Sequence, residues 1–286
     1  MSKFDNNDLD LTIYQVIKKY NLLNNSTHMR SLGQNFITDE NLLDKIVKSA
    51  LPINKDDCIL EIGPGPCGLT RSIIKHCSNE VICIEKDIKI KPLHDNLLIN
   101  TDKELKFIYN DALNINLSDL TNKKIVIISN LPYNVGTALV MKWLSDSINQ
   151  INSIVIMLQN EVIDRICAFP NSKQYGKISI LSQLLCNVEK LFIISNKAFI
   201  PSPKVTSAVV KLTPKSINIE NTSKLMKLLD NCFLYRRKMI YSTLIKFYKQ
   251  FDKQNINDIL NKCNILPQYR PENITPIQYY ELSKLI

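Results

Sequence analysis

Short apolar segments alternate with helical stretches through more than half of the chain, and this alternation constrains the fold more than any other feature. The segments are rich in Val and Ile and lie at 58–62, 81–85, 107–110, 125–129 and 154–158. Stretches with helical spacing of apolar residues separate them, at 39–50, 68–77, 137–147 and 160–168. Strands that alternate with helices form parallel βαβ units with right-handed crossovers. The sequence therefore predicts an α/β fold built on a parallel sheet.

Segments outside this alternation extend the predicted fold. Residues 9–20 place apolar side chains on one helical face, which predicts a helical lead-in within residues 1–28. Two later strands, at 190–195 and 206–212, have no long helix between them. We therefore expect an antiparallel edge on the sheet.

After Pro214 the strand signal ends and apolar residues recur at helical spacing. The last predicted helix, 276–286, begins with Thr275 as its N-cap and has proline in its first turn. We therefore predict two domains, an α/β domain over 1–214 and a small helical domain over 215–286.

Positive charge is concentrated in the predicted helical domain. The 286-residue chain has 36 Lys and Arg against 27 Asp and Glu, a net charge of +9. Residues 215–286 alone carry 12 basic and 6 acidic groups. Such a surface indicates a phosphate backbone as partner, although a solubilising surface charge has the same composition.

Cysteine and histidine spacing argues against a metal site. The eight cysteines form no C-x-x-C pair, and His28, His76 and His94 lie far apart in sequence. The chain opens with no signal peptide, its first residues are acidic rather than Arg-rich, and no apolar run is long enough to span a membrane. We therefore expect a cytoplasmic protein with reduced thiols, no metal and no membrane association.

A glycine-rich turn follows the first strand. Gly63, Gly65 and Gly68 spell G-x-G-x-x-G, which lets the backbone turn sharply and approach a ligand closely. Glu85 ends the next strand 22 positions after Gly63, near the spacing at which an acidic residue reaches ribose hydroxyls. Asp111 ends the third strand, where it can accept a hydrogen bond from an adenine amino group. The turn and the two acids predict a nucleotide-type cofactor.

Two classes of cofactor fit this turn. NAD(P)-dependent oxidoreductases have the same glycine fingerprint. Glu61 and Pro64 instead match the acidic-x-Gly-x-Gly loop of S-adenosylmethionine enzymes, because Pro64 removes a backbone donor that a pyrophosphate needs. The pattern favours S-adenosylmethionine and leaves NAD(P) as a competitor.

The stretch Ser129–Tyr133 leaves the fourth strand with an amide, a proline and an aromatic ring. The amide and nearby carbonyls can accept hydrogen bonds from an amino group, while the ring stacks on the base that carries it. An Asn-Leu-Pro-Tyr run is the target-amine motif of amino-methyltransferases; the plainer interpretation is a strand end followed by a turn. Ligand-compatible strand ends at 61–65, 85, 111 and 130, in chain order, favour the functional interpretation.

With these residues, the chain resembles the KsgA (RsmA) family of small-subunit rRNA adenine dimethyltransferases from about residue 30 to its end. The matching stretches are Ser31–Phe36, Glu61–Thr70, Asn110–Ala112, Asn130–Asn134, Met157–Val162, Tyr175–Lys177, Phe199–Val210, Phe233–Lys238 and Arg270–Asn273. Two departures are small: Cys67 stands where members often have Gly or Ala, and Asn110 where Gly or Gln is frequent. We interpret Cys67 as a packing residue.

The resemblance implies a Rossmann-like S-adenosylmethionine-dependent methyltransferase domain with a small all-helical C-terminal domain that binds rRNA. It implies transfer of two methyl groups to N6 of each of two adjacent adenosines in the 3′-terminal hairpin of 16S rRNA, and we expect a monomer that acts in small-subunit maturation. The residues expected to contact S-adenosylmethionine are Asn35, Ile37, Gly63, Glu85, Asp111 and Asn130.

The resemblance also assigns the groups that would hold the target base. Asn130, Leu131, Pro132 and Tyr133 would hold the amine, and Phe199 would help to sandwich the adenine. Hydrogen bonds from N6 to the Asn130 side chain and to the Leu131 or Pro132 carbonyl would pull the amine toward tetrahedral geometry. We expect no dedicated general base.

Arg236, Arg237 and Lys238 are the residues expected to contact the rRNA backbone. The alternative is a solvated helix face whose cations are favoured by the helix dipole.

Three other functions stay open at the level of sequence. They are a large-subunit rRNA adenine methyltransferase of the macrolide-resistance type, a mitochondrial transcription-factor relative and an NAD(P)-dependent oxidoreductase. Leu131 and the long stretch Phe199–Val210 fit the small-subunit family better than the large-subunit one.

Overall fold

The computed structural model describes residues 8–23, 35–216 and 222–286. The strands in these ranges are β1 (Phe36–Ile37), β2 (Cys58–Ile62), β3 (Val81–Glu85), β4 (Leu105–Tyr109), β5 (Ile125–Asn130), β6 (Ile151–Gln159), β7 (Cys186–Ile194), β8 (Phe199–Ile200) and β9 (Ser207–Pro214). Seven strands form one sheet in the order β4-β3-β2-β5-β6-β9-β7. The remaining two, β1 and β8, pair antiparallel with each other.

Helices connect most of the strands and form the C-terminal part. They are α1 (Ile13–Lys19), α2 (Glu40–Lys48), α3 (Gly68–His76), α4 (Lys91–Ile99), α5 (Gly136–Lys142), α6 (Asn160–Ile166), α7 (Lys177–Leu185), α8 (Thr222–Leu234), α9 (Ile240–Phe247), α10 (Lys253–Lys262) and α11 (Pro276–Leu285). None of the helices in the described ranges has the length and apolar composition needed to cross a membrane.

The strand order reverses between β2 and β5. β2 pairs in parallel with β3 on one side and with β5 on the other, so that Leu60 lies opposite both Ile82 and Ile127. β4 continues the sheet beyond β3, and β6 continues it beyond β5. β9 then runs antiparallel to β6. The predicted Rossmann-like α/β fold is confirmed, including an antiparallel strand beyond its parallel part.

Local sequence explains how these elements form. β2 and β3 are buried at every position, as expected for parallel strands covered on both faces. The Asp39 side chain accepts hydrogen bonds from the first backbone amides of α2. The Thr275 side chain caps α11, and Pro276 occupies its first turn, as predicted.

Several element boundaries differ from the prediction. β6 begins at Ile151 rather than near residue 154, and α5 passes into a π-helix at Trp143–Ser147. The sequence analysis did not assign α7. This helix is buried on nearly all sides, so its sequence lacks the polar face by which an amphipathic helix is recognised.

The chain divides into two compact units. The first runs to Val140 and includes Asn149–Ile163 and Glu189–Thr213; the second comprises Met141–Ile148, Asp164–Val188 and the residues from Pro214 onward. A methyltransferase domain over 1–214 and an rRNA-binding domain over 215–286 stay predictions.

In the first unit, α1 buries Ile13, Val16 and Ile17 in the hydrophobic core. Residues 1–7 and 24–28 of the predicted lead-in, and residues 31–34 of the first family motif, lie outside the described residues.

Gly136 begins α5 at a position where a larger side chain does not fit. A Cβ there would overlap Cδ2 of Leu158, whose side chain is buried. We expect Gly136→Ala to lower the free energy of unfolding by about 1–3 kcal/mol, because the buried leucine must leave its preferred packing. Urea denaturation measures this change.

Gly176→Ala is the matched control, because Gly176 has an extended backbone and no atom within 4 Å of the added Cβ. Its effect should stay within about 0.5 kcal/mol. Equal effects of the two substitutions would contradict the packing argument.

Candidate active site

One cavity lies at the carboxyl ends of β2, β3, β4 and β5, the edge at which open α/β sheets bind ligands. Its volume is about 1040 Å³ when the open mouth is included. All residues expected to contact the cofactor line it: Asn35, Ile37, Gly63, Glu85, Asp111 and Asn130. Leu131, Pro132 and Tyr133 line it as well, whereas Phe199 does not. The structure therefore brings together every predicted cavity residue except one.

The turn after β2 has a backbone that favours glycine. Gly63 has φ +67° and Gly65 has φ +52°. A Cβ on Gly65 would also lie 3.1 Å from Cε1 of Phe36. Cys67 has φ 61° as well, and its side chain is fully buried. Burial raises the pKa of the Cys67 thiol, so the group stays protonated, which agrees with a packing role.

Glu85 places a buried carboxyl group beside this turn. Its side chain is 3% exposed, and its two oxygens accept hydrogen bonds from the amides of Gly65 (3.2 Å) and Asp87 (2.8 Å). Burial raises the pKa of Glu85, while the backbone donors act in the opposite direction. Each oxygen can accept a further hydrogen bond, so the carboxylate can bind hydroxyl groups of a ligand.

Glu61 is the second buried acid of the cavity. It is 1% exposed, and Oε2 accepts hydrogen bonds from the Thr70 hydroxyl (2.6 Å) and the Cys83 thiol (3.6 Å). Burial raises the pKa of Glu61 to about 8, so its neutral form predominates at pH 7.

Asp111 lies at the end of β4 and is already engaged. Oδ1 accepts from the Leu113 amide at 3.0 Å, and Oδ2 accepts from Nζ of Lys86 at 2.7 Å. The hydrogen bond from Lys86 lowers the pKa of Asp111 and keeps it ionised. The sequence analysis missed Lys86; its place directly after Glu85 was the only signal. A ligand amino group would share Asp111 with this ammonium group.

Asn130 ends β5 with a fixed amide orientation. Nδ2 donates to the backbone carbonyl of Asn35 at 3.1 Å. Within the part of the chain that the structure describes, Oδ1 has no hydrogen-bond partner and can accept from a ligand amine. The loop that follows is anchored by the Leu131 amide, which donates to the Met157 carbonyl on β6.

Tyr133 is held through its hydroxyl group. It bonds to Oγ of Ser207 at 2.6 Å, and Ser207 is the fully buried first residue of β9. The sequence analysis assigned no role to Ser207, although it lies within the quoted stretch Phe199–Val210. The bond spans 74 positions, so only the sheet order could reveal it.

Phe199 is placed differently from the other predicted base-binding residues. It is 2% exposed, belongs to the hydrophobic core and pairs with Ile37 across β1 and β8. The ring can sandwich a base only after it leaves this packing.

The basic triplet, Arg236–Lys238, lies in the turn between α8 and α9 rather than on a helix face. Nε of Arg236 donates to Glu272 at 2.8 Å, and its terminal nitrogen donates to the Lys173 carbonyl at 2.7 Å. Arg237 and Lys238 are exposed. Of the three cations, Arg236 therefore has a structural role within its own unit.

The described residues contain no group of three or more His, Cys, Asp or Glu side chains that could hold a metal ion.

Comparison with known proteins identifies the family. The model of the family described as ribosomal RNA adenine dimethylase matches residues 25–286. Ribosomal RNA small subunit methyltransferase A of Wolbachia pipientis wMel is 40% identical over 260 residues, which cover 89% of this chain and 87% of that protein. The chain belongs to the ribosomal RNA adenine dimethylase family.

Solved structures agree with this assignment. A dimethyladenosine transferase from Plasmodium falciparum superimposes with a TM-score of 0.73 at 26% identity, over 86% of this chain and 95% of that one. The 23S rRNA methyltransferase ErmE has a TM-score of 0.64 at 19% identity, over 88% of this chain and 99% of that one, which shows a shared fold alone.

The cavity fits S-adenosylmethionine, the cofactor of the dimethylase family. Gly63 and Gly65 lie in the cavity wall and carry no side chain that could block close approach of a ligand to the backbone. The buried Glu85 carboxyl suits ribose hydroxyls, and the Asp111 carboxylate suits an adenine amino group. Family membership sets aside the NAD(P) oxidoreductase alternative.

The buried Glu61 predicts a specific pH dependence of stability. Its pKa in the folded protein, about 8, lies above its ordinary value of 4.5, so the folded state binds the additional proton. The stabilisation is fully present below pH 4.5 and is lost as the pH rises through 8, at up to about 1.4 kcal/mol per pH unit. Glu61→Gln should lack this loss.

Urea denaturation of both proteins between pH 5 and 9 measures the difference. The wild type should lose stability relative to Glu61→Gln as the pH rises. Parallel pH profiles would show that Glu61 is not protonated in the folded protein.

Proposed function

We propose that the protein uses S-adenosylmethionine to dimethylate N6 of two adjacent adenosines in the 3′-terminal hairpin of small-subunit rRNA. Membership of the rRNA adenine dimethylase family supports the reaction, and the 40% identity to a ribosomal RNA small subunit methyltransferase A supports the small-subunit substrate. The observation that carries the proposal is the placement of Asn130 in the wall of the cavity that also contains Gly63 and Glu85.

The target amine would be held by two acceptors at the end of β5. Oδ1 of Asn130 is the first, because Nδ2 is committed to the Asn35 carbonyl. The Pro132 carbonyl already accepts from the amides of Val135 (3.2 Å) and Gly136 (3.0 Å). The Leu131 carbonyl has no such bond among the described residues, so it is the better second acceptor.

These two hydrogen bonds would activate the amine. The N6 lone pair of adenine is delocalised into the ring, so the amine is a poor nucleophile. Acceptors on both N–H bonds favour a tetrahedral nitrogen whose lone pair points away from Asn130. When bound, S-adenosylmethionine supplies an electrophilic methyl group on a sulfonium centre. Orientation in the cavity supplies much of the rate, and the proton leaves after the nitrogen has become cationic.

Tyr133 would stack on the target base. The base must leave its stack in the RNA, which costs roughly a few kcal/mol, and stacking on an aromatic ring offsets part of that cost. The bond from Tyr133 to Ser207 fixes the ring before the base arrives. Phe199 would complete the sandwich after a rearrangement of β8 exposes its ring.

We further propose that the enzyme acts as a monomer in the cytoplasm, on the small ribosomal subunit. All residues expected to contact the cofactor lie around one cavity of a single chain, which supports a site that one copy completes. None of the eight cysteines, all of which lie in the described ranges, forms a disulfide, as is usual in a reducing compartment.

Asn130→Ala tests the central role. The substitution removes one acceptor of the target amine, so we expect kcat to fall by on the order of 100-fold or more. S-adenosylmethionine affinity, measured by calorimetry, should fall only moderately. The assay is transfer of labelled methyl groups to small-subunit particles that lack the modification.

Asn149→Ala is the control, because Asn149 is exposed and does not line the cavity. It should retain wild-type turnover. Near-normal turnover of Asn130→Ala would exclude the amine-orienting role.

The exposed cations of the basic triplet predict a salt effect. Replacing Arg237 and Lys238 together by Gln should weaken rRNA binding and reduce the slope of log K against log salt by about 2, roughly 1 for each phosphate contact. Adding Arg236→Gln should also destabilise the second unit, because Arg236 bonds to Glu272.

The matched control replaces two exposed lysines of α10, Lys253 and Lys262, by Gln. It removes the same charge and should leave the slope closer to the wild-type value. An unchanged slope in the double variant of the triplet would mean that these cations do not contact the RNA backbone.

A further inference from the structure

His94 is a buried polar side chain close to the glycine turn after β2. It has no role in the proposed reaction. It lies on α4, is fully buried and does not line the cavity. Its ring stacks on Phe107 of β4, with centroids 4.1 Å apart and an interplanar angle of 13°. Stacking on Phe107 requires only a flat ring and does not require a histidine. The role of the imidazole therefore depends on the hydrogen bonds of its two nitrogens.

Both ring nitrogens make hydrogen bonds that fix one tautomer. Nε2 lies 3.0 Å from the carbonyl oxygen of Gly65, and Nδ1 lies 2.9 Å from the hydroxyl of Tyr109. A carbonyl only accepts, so Nε2 carries the proton and donates it to Gly65. Burial lowers the pKa of His94 to about 4, so the ring is neutral at pH 7 and Nδ1 accepts from Tyr109.

The peptide units of Gly65 are therefore held by two different buried side chains. Its N–H group donates to Oε2 of Glu85 at 3.2 Å, and its carbonyl accepts from His94. Gly65 has φ +52° and lies in the cavity wall, and its carbonyl also accepts a long hydrogen bond from the Cys67 thiol at 3.9 Å. A hydrogen-bonded series thus runs from Tyr109 through His94 and Gly65 to Glu85, and hydrogen bonds in such a series reinforce one another.

We propose that His94 is a positioning residue for the cofactor: its imidazole fixes the Gly65 peptide, and through Gly65 it fixes the Glu85 carboxylate in the geometry that binds S-adenosylmethionine. The inference rests on the proposed function for the identity of the ligand. His94 is fully buried and does not line the cavity, so its substitution should change cofactor affinity only through Gly65 and leave rRNA affinity unchanged.

Calorimetric titration of the full chain with S-adenosylhomocysteine tests this. His94→Phe keeps a flat ring against Phe107 and removes both hydrogen bonds of the imidazole. Loss of the bond to Gly65 should raise Kd about tenfold, the effect of one buried hydrogen bond. His94→Gln can still donate an N–H to the Gly65 carbonyl and should restore affinity to within about threefold of the wild type. With saturating cofactor, KM for rRNA should match the wild type.

Leu97→Ala is the matched control for lost stability. Leu97 is buried on the same helix and belongs to the hydrophobic core, but no hydrogen bond joins its side chain to the turn. It should destabilise the protein by about 2–5 kcal/mol and change Kd less than twofold. Equal losses of affinity in Leu97→Ala and His94→Phe, or wild-type affinity of His94→Phe, would overturn the proposal.

Two measurements decide the matter if His94→Phe does not fold. Tyr109→Phe removes only the hydroxyl that orders His94 and should raise Kd by about threefold. Nitrogen NMR of the wild type should show His94 neutral and protonated on Nε2; protonation on Nδ1 would contradict the bond to Gly65.

The calorimetric titration contains no rRNA, so it tests the role of His94 independently of the substrate. A change in cofactor affinity together with an absence of rRNA methylation would refute the proposed substrate and keep the role of His94.

Discussion

The parallel pairing of β2 with both β3 and β5 is the constraint on which the site depends. The register places Ile62 opposite Ile84 and Leu60 opposite Ile127, so the three strands end at the same edge of the sheet. The turn at Gly63, the Glu85 carboxyl and the Asn130 amide consequently lie around one cavity. A shift of one residue in either pairing would turn each side chain to the opposite face and separate these groups.

Hydrogen bonds partly offset the cost of burying acidic side chains around this cavity. Burial raises the pKa of Glu85, and the amides of Gly65 and Asp87 counter that effect by hydrogen bonding to the carboxylate. Glu61 has side-chain donors instead, from Thr70 and Cys83, and its pKa rises to about 8. The cavity therefore combines a carboxylate stabilised by the turn itself with a second acid that is largely neutral at pH 7.

Local sequence predicted the parts of the fold and the site that depend on short-range patterns. Strands β2 and β3 were found with their observed bounds because apolar, β-branched runs have few alternatives in an α/β fold. Gly63 and Asn130 were predicted because their residue types match a backbone or hydrogen-bonding requirement at a strand end; both line the cavity, and their ligand contacts stay predictions.

Contacts between residues far apart in the sequence could not be predicted. His94 and Ser207 act through Gly65 and Tyr133, which are 29 and 74 positions away. No periodicity links such pairs before the strand order is known. Phe199 was predicted to face the base, but its pairing in the β1–β8 sheet buries the ring. Arg236 was predicted to contact RNA, and its hydrogen bond to Glu272 became visible only in the folded second unit.

A crystal structure with S-adenosylhomocysteine and adenosine monophosphate tests most directly whether these strand ends form one catalytic centre. We expect ribose hydroxyls on Glu85, and the adenine amino group of the nucleotide within about 3 Å of Oδ1 of Asn130 and the Leu131 carbonyl. The amino nitrogen should also face the homocysteine sulfur across the space of one methyl group. A cofactor bound away from Gly63 and Glu85, or an adenine amino group that makes no bond to Asn130, would contradict this expectation.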